Sequence, residues 1–217
     1  MATLSLWDST LTFFPQFLAA LREHPAPQPT TAVIGASDGK FVLPLVHAGH
    51  NVLAVERDNT ALHGGVVDLP DGARTRVPGL THRLAADGIG HRVTIRQADF
   101  LDAPPEPECC HAVWTSCSWH YSVNHRRPLS DFVATMQAMV KPGGLFGAEF
   151  MMPVEPRHDL IEHYTTPNRL AEYFAAHWRI LLTLQTSRFV EQPHIGQPFE
   201  HEHRMGLLIA RREARAR

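Results

Sequence analysis

Cysteine is scarce in this chain. The three present, Cys109, Cys110 and Cys117, fall within nine residues and include no Cys-x-x-Cys pair. That excludes a disulfide-stapled scaffold and fits a reducing compartment. Long apolar runs are missing as well. None nears the ~18 residues that a membrane span needs, so no membrane partner is expected. The opening segment MATLSLWDSTLTFF has neither a basic start nor an unbroken apolar core. It does not read as a secretory signal, and a cytoplasmic location is expected. No charge of one sign dominates: 20 Lys and Arg stand against 22 Asp and Glu. With no net basic field and only a short basic tail, ARREARAR (210–217), a nucleic-acid partner is not expected. Aromatic residues (8%) and 14 Gly exclude collagen-like and glycine-rich classes. What remains is 44% hydrophobic and 19% charged, the balance of a globular chain. At 217 residues it can bury roughly 70% of its unfolded surface without staples. A single domain is expected, acting as monomer or homodimer.

No fixed repeat runs through the chain. Residues 9–23 carry Phe13, Phe14, Phe17, Leu18 and Leu21 at three- and four-residue spacing, which predicts an amphipathic helix with Pro15 near its start. The proline-rich HPAPQPT (24–30) is a linker, so residues 1–29 form an N-terminal lid helix and linker before a core at 30–217. Two periods then alternate. Short apolar runs at 31–34, 51–55, 92–96, 111–115 and 145–150 predict five strands. Helical spacing appears at 40–48, 58–67, 80–87 and 130–140, with Asp58 or Asn59 as a cap and Pro167 opening a later helix. Residues 68–79 interrupt the pattern with turn formers, and 179–186 and 204–210 read as two final strands. The alternation predicts an α/β fold: a Rossmann-like, doubly wound sheet of about seven strands with helices on both faces. It is mostly parallel. The 187–203 connection holds Pro193, Gly196 and Pro198 and no helix, so the last strand is antiparallel.

Open α/β sheets bind ligands outside the carboxyl ends of their strands, where strand order reverses. The loop after the first strand is Gly35, Ala36, Ser37, Asp38 and Gly39, small residues that let a backbone approach a ligand. Seventeen residues after Gly39, the second strand ends at Glu56, followed by Arg57. A carboxylate there accepts two hydrogen bonds from a ribose diol. The third strand ends near Asp99 and Phe100, an acid that accepts from an exocyclic amine and a ring that packs on a base. A small-residue loop followed by two strand-end acids spells an adenosine site.

On these residues, over about 30–210, the chain resembles the class I S-adenosylmethionine-dependent methyltransferases. Glu56 matches that family's ribose acid and Asp99–Phe100 its adenine contact. VWTSCSWHY (113–121), with Thr115 and Ser116, matches the segment facing the methionine part, and VKPGGLFGAEF (140–150) its helix–turn–strand. The chain departs from the family where Ser37 replaces a middle glycine and Val33 an acid. The resemblance implies S-adenosyl-L-methionine as cofactor, S-adenosyl-L-homocysteine as product, and methyl transfer to N, O or S of a small, flat, heteroaromatic molecule. The ending is distantly similar to tellurite-resistance methyltransferases, which keeps chalcogen detoxification as an alternative. Two other readings stand beside these: a binding module that keeps the cofactor but not the chemistry, and a nicotinamide oxidoreductase, which lacks its Gly-x-Gly-x-x-Gly here.

Methyl transfer needs a nucleophile held in line with an activated methyl, and a base if that nucleophile carries a proton. His120 and Tyr121, after the fourth strand, are the catalytic candidates. Trp7, Phe14, Trp119 and Glu149 are candidates for holding the acceptor. His201 and His203 share one face of a strand and are read as substrate-facing; with no third ligand adjacent in sequence, no metal is expected among the chain's 15 His.

Overall fold

The computed structural model describes residues 12–23, 26–120, 126–174, 176–195 and 197–214. Its helices are α1 (Phe14–Arg22), α2 (Val42–His47), α3 (Asn59–His63), α4 (Leu80–Ala86), α5 (Leu129–Met139) and α6 (Pro167–Ala171). The strands of the main sheet are β1 (Thr30–Ile34), β2 (Asn51–Glu56), β5 (Val93–Gln97), β6 (Cys110–Ser116), β7 (Val140–Met151), β8 (Trp178–Gln185) and β11 (Met205–Arg212). Two hairpins stand apart from it: β3 (Gly65–Asp68) with β4 (Arg74–Val77), and β9 (Phe189–Glu191) with β10 (His201–His203).

The main sheet has the order β5-β2-β1-β6-β7-β11-β8. β1, β2, β5, β6 and β7 pair in parallel, and β11 runs antiparallel between β7 and β8. Strand order reverses between β1 and β6, so a ligand crevice belongs at their carboxyl ends. The alternating strand residues build two cores. On one face Val33, Trp114 and Leu207 meet α1, α2 and α4; on the other Val113, Phe146 and Phe150 meet α5 and α6. The doubly wound reading therefore holds.

Local chemistry sets the departures from the predicted elements. The helix expected over 58–67 stops at His63, because Gly64 takes φ 77° and the following GVVD forms β3. Its start is as expected: the Asp58 carboxylate accepts from the Thr60 and Ala61 amides. The turn-rich 68–79 segment folds back as β4, paired Val66 to Arg76. Near the start of β7, Gly143 (φ 82°) lets the Pro142-Gly143-Gly144 segment re-aim the chain that leaves α5.

Candidate functional site

The first loop and the two acids meet at the carboxyl ends of β1, β2 and β5. Glu56 ends β2, and its Oε2 accepts from the Ser37 amide at 2.8 Å, so the acid faces the loop. Its Oε1 accepts from the Arg57 and Asp58 amides at 2.8 and 2.9 Å. Asp99 follows β5 and lies 3.4 Å from the Arg57 guanidinium. Both carboxylates thus stand at neighbouring strand ends beside the crevice. Arg57 is about half exposed, at 47%, so this pair is worth at most about 1 kcal/mol and yields readily to a ligand.

The loop keeps a left-handed path in spite of its serine: Gly35, Ser37 and Gly39 have φ of 72°, 49° and 103°. A Cβ on Gly35 would sit 2.6 Å from Ser118 Cβ, so β1 and the turn after β6 touch there. The Gly35 and Ala36 amides both donate to Val55 O, and Ala36 is fully buried. Ala36 therefore shapes the loop from the core side instead of touching a ligand. Thr115 is corrected in the same way. It is fully buried, its hydroxyl donates to Ile34 O at 3.0 Å and contacts Ser118 Oγ, and it ties β6 to β1. Phe100 packs on Phe132 at 4.9 Å and keeps only 5% of its surface exposed.

The far half of the edge carries the acceptor-side candidates. Ser116 Oγ donates to Glu149 Oε1 at 2.8 Å, and the Phe13 amide donates to Glu149 Oε2 at 2.8 Å. The carboxyl group thereby ties the start of α1 to the ends of β6 and β7. Burial pushes its pKa up, against the hydrogen bonds from Ser116 and Phe13 and the charge of Lys40. His120 accepts the Met151 amide on Nε2 at 3.2 Å, which puts the ring proton on Nδ1. Base work at Nε2 would have to break that bond. Its ring meets Tyr164 edge-on at 4.8 Å, and Tyr164 stacks on His158 at 4.0 Å. Burial raises the Tyr164 phenol and the Cys117 thiol. His158 lies in a short 3-10 helix (Pro156–Leu160) and Tyr164 in the loop after it, and neither carried a signal in the sequence.

Two acceptor candidates are overturned. Phe14 is fully buried, with its ring 4.9 Å from Phe41 and 5.2 Å from Trp114. Trp119 is also fully buried, stacked at 5.7 Å on Phe150, with Nε1 donating to His163 O. Both rings are core, because an apolar side chain at a strand or helix end gains more from packing than from water. The helix read as a lid is anchored in that core through Phe14, Phe17 and Leu21. Trp7 and Tyr121 lie outside the described residues.

His201 and His203 do share one face of β10, and the β9 hairpin brings Glu191 against them. His203 Nε2 lies 2.7 Å and His201 Nε2 3.4 Å from Glu191 Oε2, with His194 Nε2 at 3.8 Å. Burial lowers the His203 pKa against the pull of Glu191. Two surface clefts, about 270 Å³ beside Arg83 and about 320 Å³ beside Arg22, are lined by none of these groups, although Arg83 itself pairs with Asp38 of the first loop at 3.1 Å.

The sheet order, the one reversed strand and the crevice geometry define the fold of the class I S-adenosylmethionine-dependent methyltransferases. Among solved structures, the chain is similar to TehB from Haemophilus influenzae, with TM-score 0.67 and 12% identity over 94% of this chain and 64% of that one. It is similar to a SAM-dependent methyltransferase from Methanosarcina mazei, with TM-score 0.63 and 10% identity over 90% and 97% of the two chains. A third is the 1,6-didemethyltoxoflavin-N1-methyltransferase of Burkholderia thailandensis, solved with 1,6-didemethyltoxoflavin and S-adenosylhomocysteine. That likeness has TM-score 0.59 and 17% identity over 93% and 79%. No family model and no curated protein matches the chain. At such identities the likeness establishes the fold.

Proposed function

We propose that this protein transfers a methyl group from S-adenosylmethionine to an N, O or S atom of a small, flat molecule. The observation that carries the reading is the pairing of Glu56 and Asp99 at adjacent strand ends, with the first loop folded onto Glu56. The residues fit the cofactor in a specific way. Glu56 would take the ribose diol in exchange for the Ser37 amide, and Asp99 would take the adenine amine in exchange for Arg57. When bound, the cofactor supplies an electrophilic methyl group. The chain then has to hold the acceptor and exclude water. Ser116 and Glu149 hold the crevice wall where β6 and β7 end, and His120 orients the end of β7 through Met151. The relatives in fold support a small acceptor, since one of them carries 1,6-didemethyltoxoflavin beside S-adenosylhomocysteine.

The test is calorimetric titration with S-adenosylhomocysteine, followed by an acceptor screen with methyl-labelled cofactor. Saturable one-site binding and label transfer to a heteroaromatic acceptor are expected. Absence of binding removes the proposal. Binding with no transfer to any acceptor would favour the cofactor-binding module, a reading supported by the engaged Nε2 of His120.

A further inference from the structure

No step of the proposed methyl transfer is assigned to the histidine hairpin, and its geometry has a chemistry of its own. β9 and β10 pair Glu191 directly with His201, and His203 lies two residues on, on the same face. His194 is held in the connecting loop by reciprocal backbone bonds with Gln197. Three imidazoles therefore converge on one carboxylate oxygen, each through Nε2.

The far ring nitrogens fix what Nε2 carries. His201 Nδ1 lies 2.9 Å from Phe199 O, and His194 Nδ1 lies 2.8 Å from Ile195 O. A carbonyl oxygen only accepts, so in both rings Nδ1 holds the proton. A neutral ring then turns the Nε2 lone pair toward Glu191. His201 Nε2 is shielded from solvent and makes no hydrogen bond, although a carboxylate oxygen is 3.4 Å away. Lone pair facing lone pair is repulsive unless a cation lies between them. A histidine whose outer nitrogen donates to a carbonyl while the inner one points at a shared centre is the arrangement metal sites use.

We propose that Glu191, His201 and His203 form a site for one divalent transition metal of the zinc type. Ligand atoms around a tetrahedral zinc stand about 3.3 Å apart, given bonds near 2.0–2.1 Å. Here all three lie within 4.8 Å of one another, close to that spacing. Two imidazoles and one carboxylate leave a coordination position open, and His194 is within reach as a fourth ligand. The hairpin hangs at the carboxyl end of β7: Met152 donates to Arg204 O at 2.7 Å, and β11 begins one residue after β10. The site therefore lies on the acceptor side of the crevice, and it stands whether or not methyl transfer does.

The test uses the full chain, stripped with a chelator, dialysed against Zn2+ for elemental analysis and titrated with Co2+ for its visible spectrum. One zinc per chain and cobalt bands of a four- or five-coordinate site are expected. His201→Ala, and separately the near-isosteric Glu191→Gln, should weaken zinc binding at least about tenfold, since even loss of an outer-sphere partner costs that much. His47→Ala, which removes an exposed histidine far from the hairpin, should change nothing. Wild-type protein that retains no zinc and gives no cobalt spectrum overturns the proposal. So does equal loss of zinc on His47→Ala, which would mean scattered surface histidines.

Discussion

At the ends of β1, β2 and β5 the polar side chains are acids met by backbone amides and by one arginine. At the ends of β6, β7 and β11 they are imidazoles, a hydroxyl and one buried carboxyl group. In the first half, Glu56 takes three amides and Asp99 one guanidinium and the Leu101 amide, and of these the Ser37 amide and the Arg57 guanidinium are partners that a nucleoside can replace. In the second half, Glu149 is bound into the framework by Ser116 and Phe13, and His120 by Met151. The difference teaches where binding specificity resides. The nucleoside half is generic and local to each strand end. The acceptor half is assembled from α1, two strands and a hairpin, so its shape is particular to this chain.

The sharpest way to break that division is Glu56→Ala against Glu149→Gln, read by S-adenosylhomocysteine titration. Glu56→Ala removes two charge-assisted bonds to the diol at about 1.5 kcal/mol each, so the dissociation constant should rise on the order of 100-fold. Glu149→Gln keeps an acceptor for the Phe13 amide and should move that constant by less than about threefold, well under 1 kcal/mol. If Glu149→Gln has the larger effect, the two halves have been assigned the wrong way round.

The same contrast explains what was legible in the sequence. Glu56 and Asp99 could be read because each lies at, or within two residues of, the end of its own strand, so a local pattern sufficed. The five parallel strands, the reversed β11 and the Asp58 cap were equally local. The β3–β4 hairpin was missed because a short, half-exposed strand lacks a buried apolar run; in GVVD and RTRV half-buried and exposed residues alternate and only Val77 is buried. Glu191 was missed as a partner of His201 because ten residues separate them and only the hairpin register joins them. Phe14 and Trp119 were misread because an aromatic residue beside a crevice has the same local pattern whether it faces core or ligand. Only the packing of Trp114, Phe41, Phe132 and Phe150 decides that.

A second comparison concerns pH. Burial raises the Glu149 carboxyl above its ordinary 4.5, so between 4.5 and the raised value the folded protein holds a proton that the unfolded chain has released. Stability must then fall with rising pH across that window. The contribution is fully present below 4.5 and is lost as pH rises through the folded value. Melting temperatures of wild type and Glu149→Gln, measured from pH 4 upward, should therefore diverge, with the wild type losing ground. A constant difference would mean that this carboxyl group ionises as if in water and that the acceptor half is more solvated than its geometry indicates.

The smallest expected effect tests the nucleoside half's one irregularity. Ser37 holds φ 49°, a left-handed conformation that costs a side-chain-bearing residue roughly 1–2 kcal/mol. Its hydroxyl is buried without a hydrogen bond. Glycine removes both penalties but loses up to about 1 kcal/mol through greater freedom in the unfolded chain. Ser37→Gly should therefore stabilise the protein by about 1 kcal/mol, a rise of about 2–4 °C in Tm for a chain this size. Because the Ser37 amide that meets Glu56 is kept, affinity for S-adenosylhomocysteine should stay within about threefold, under 0.7 kcal/mol. A higher Tm with unchanged affinity would make the serine a tolerated strain in a generic nucleoside loop. A lower Tm, or an affinity loss of tenfold, would make its hydroxyl a working part of the site and bring the first loop into the chain-specific class that the acceptor half occupies.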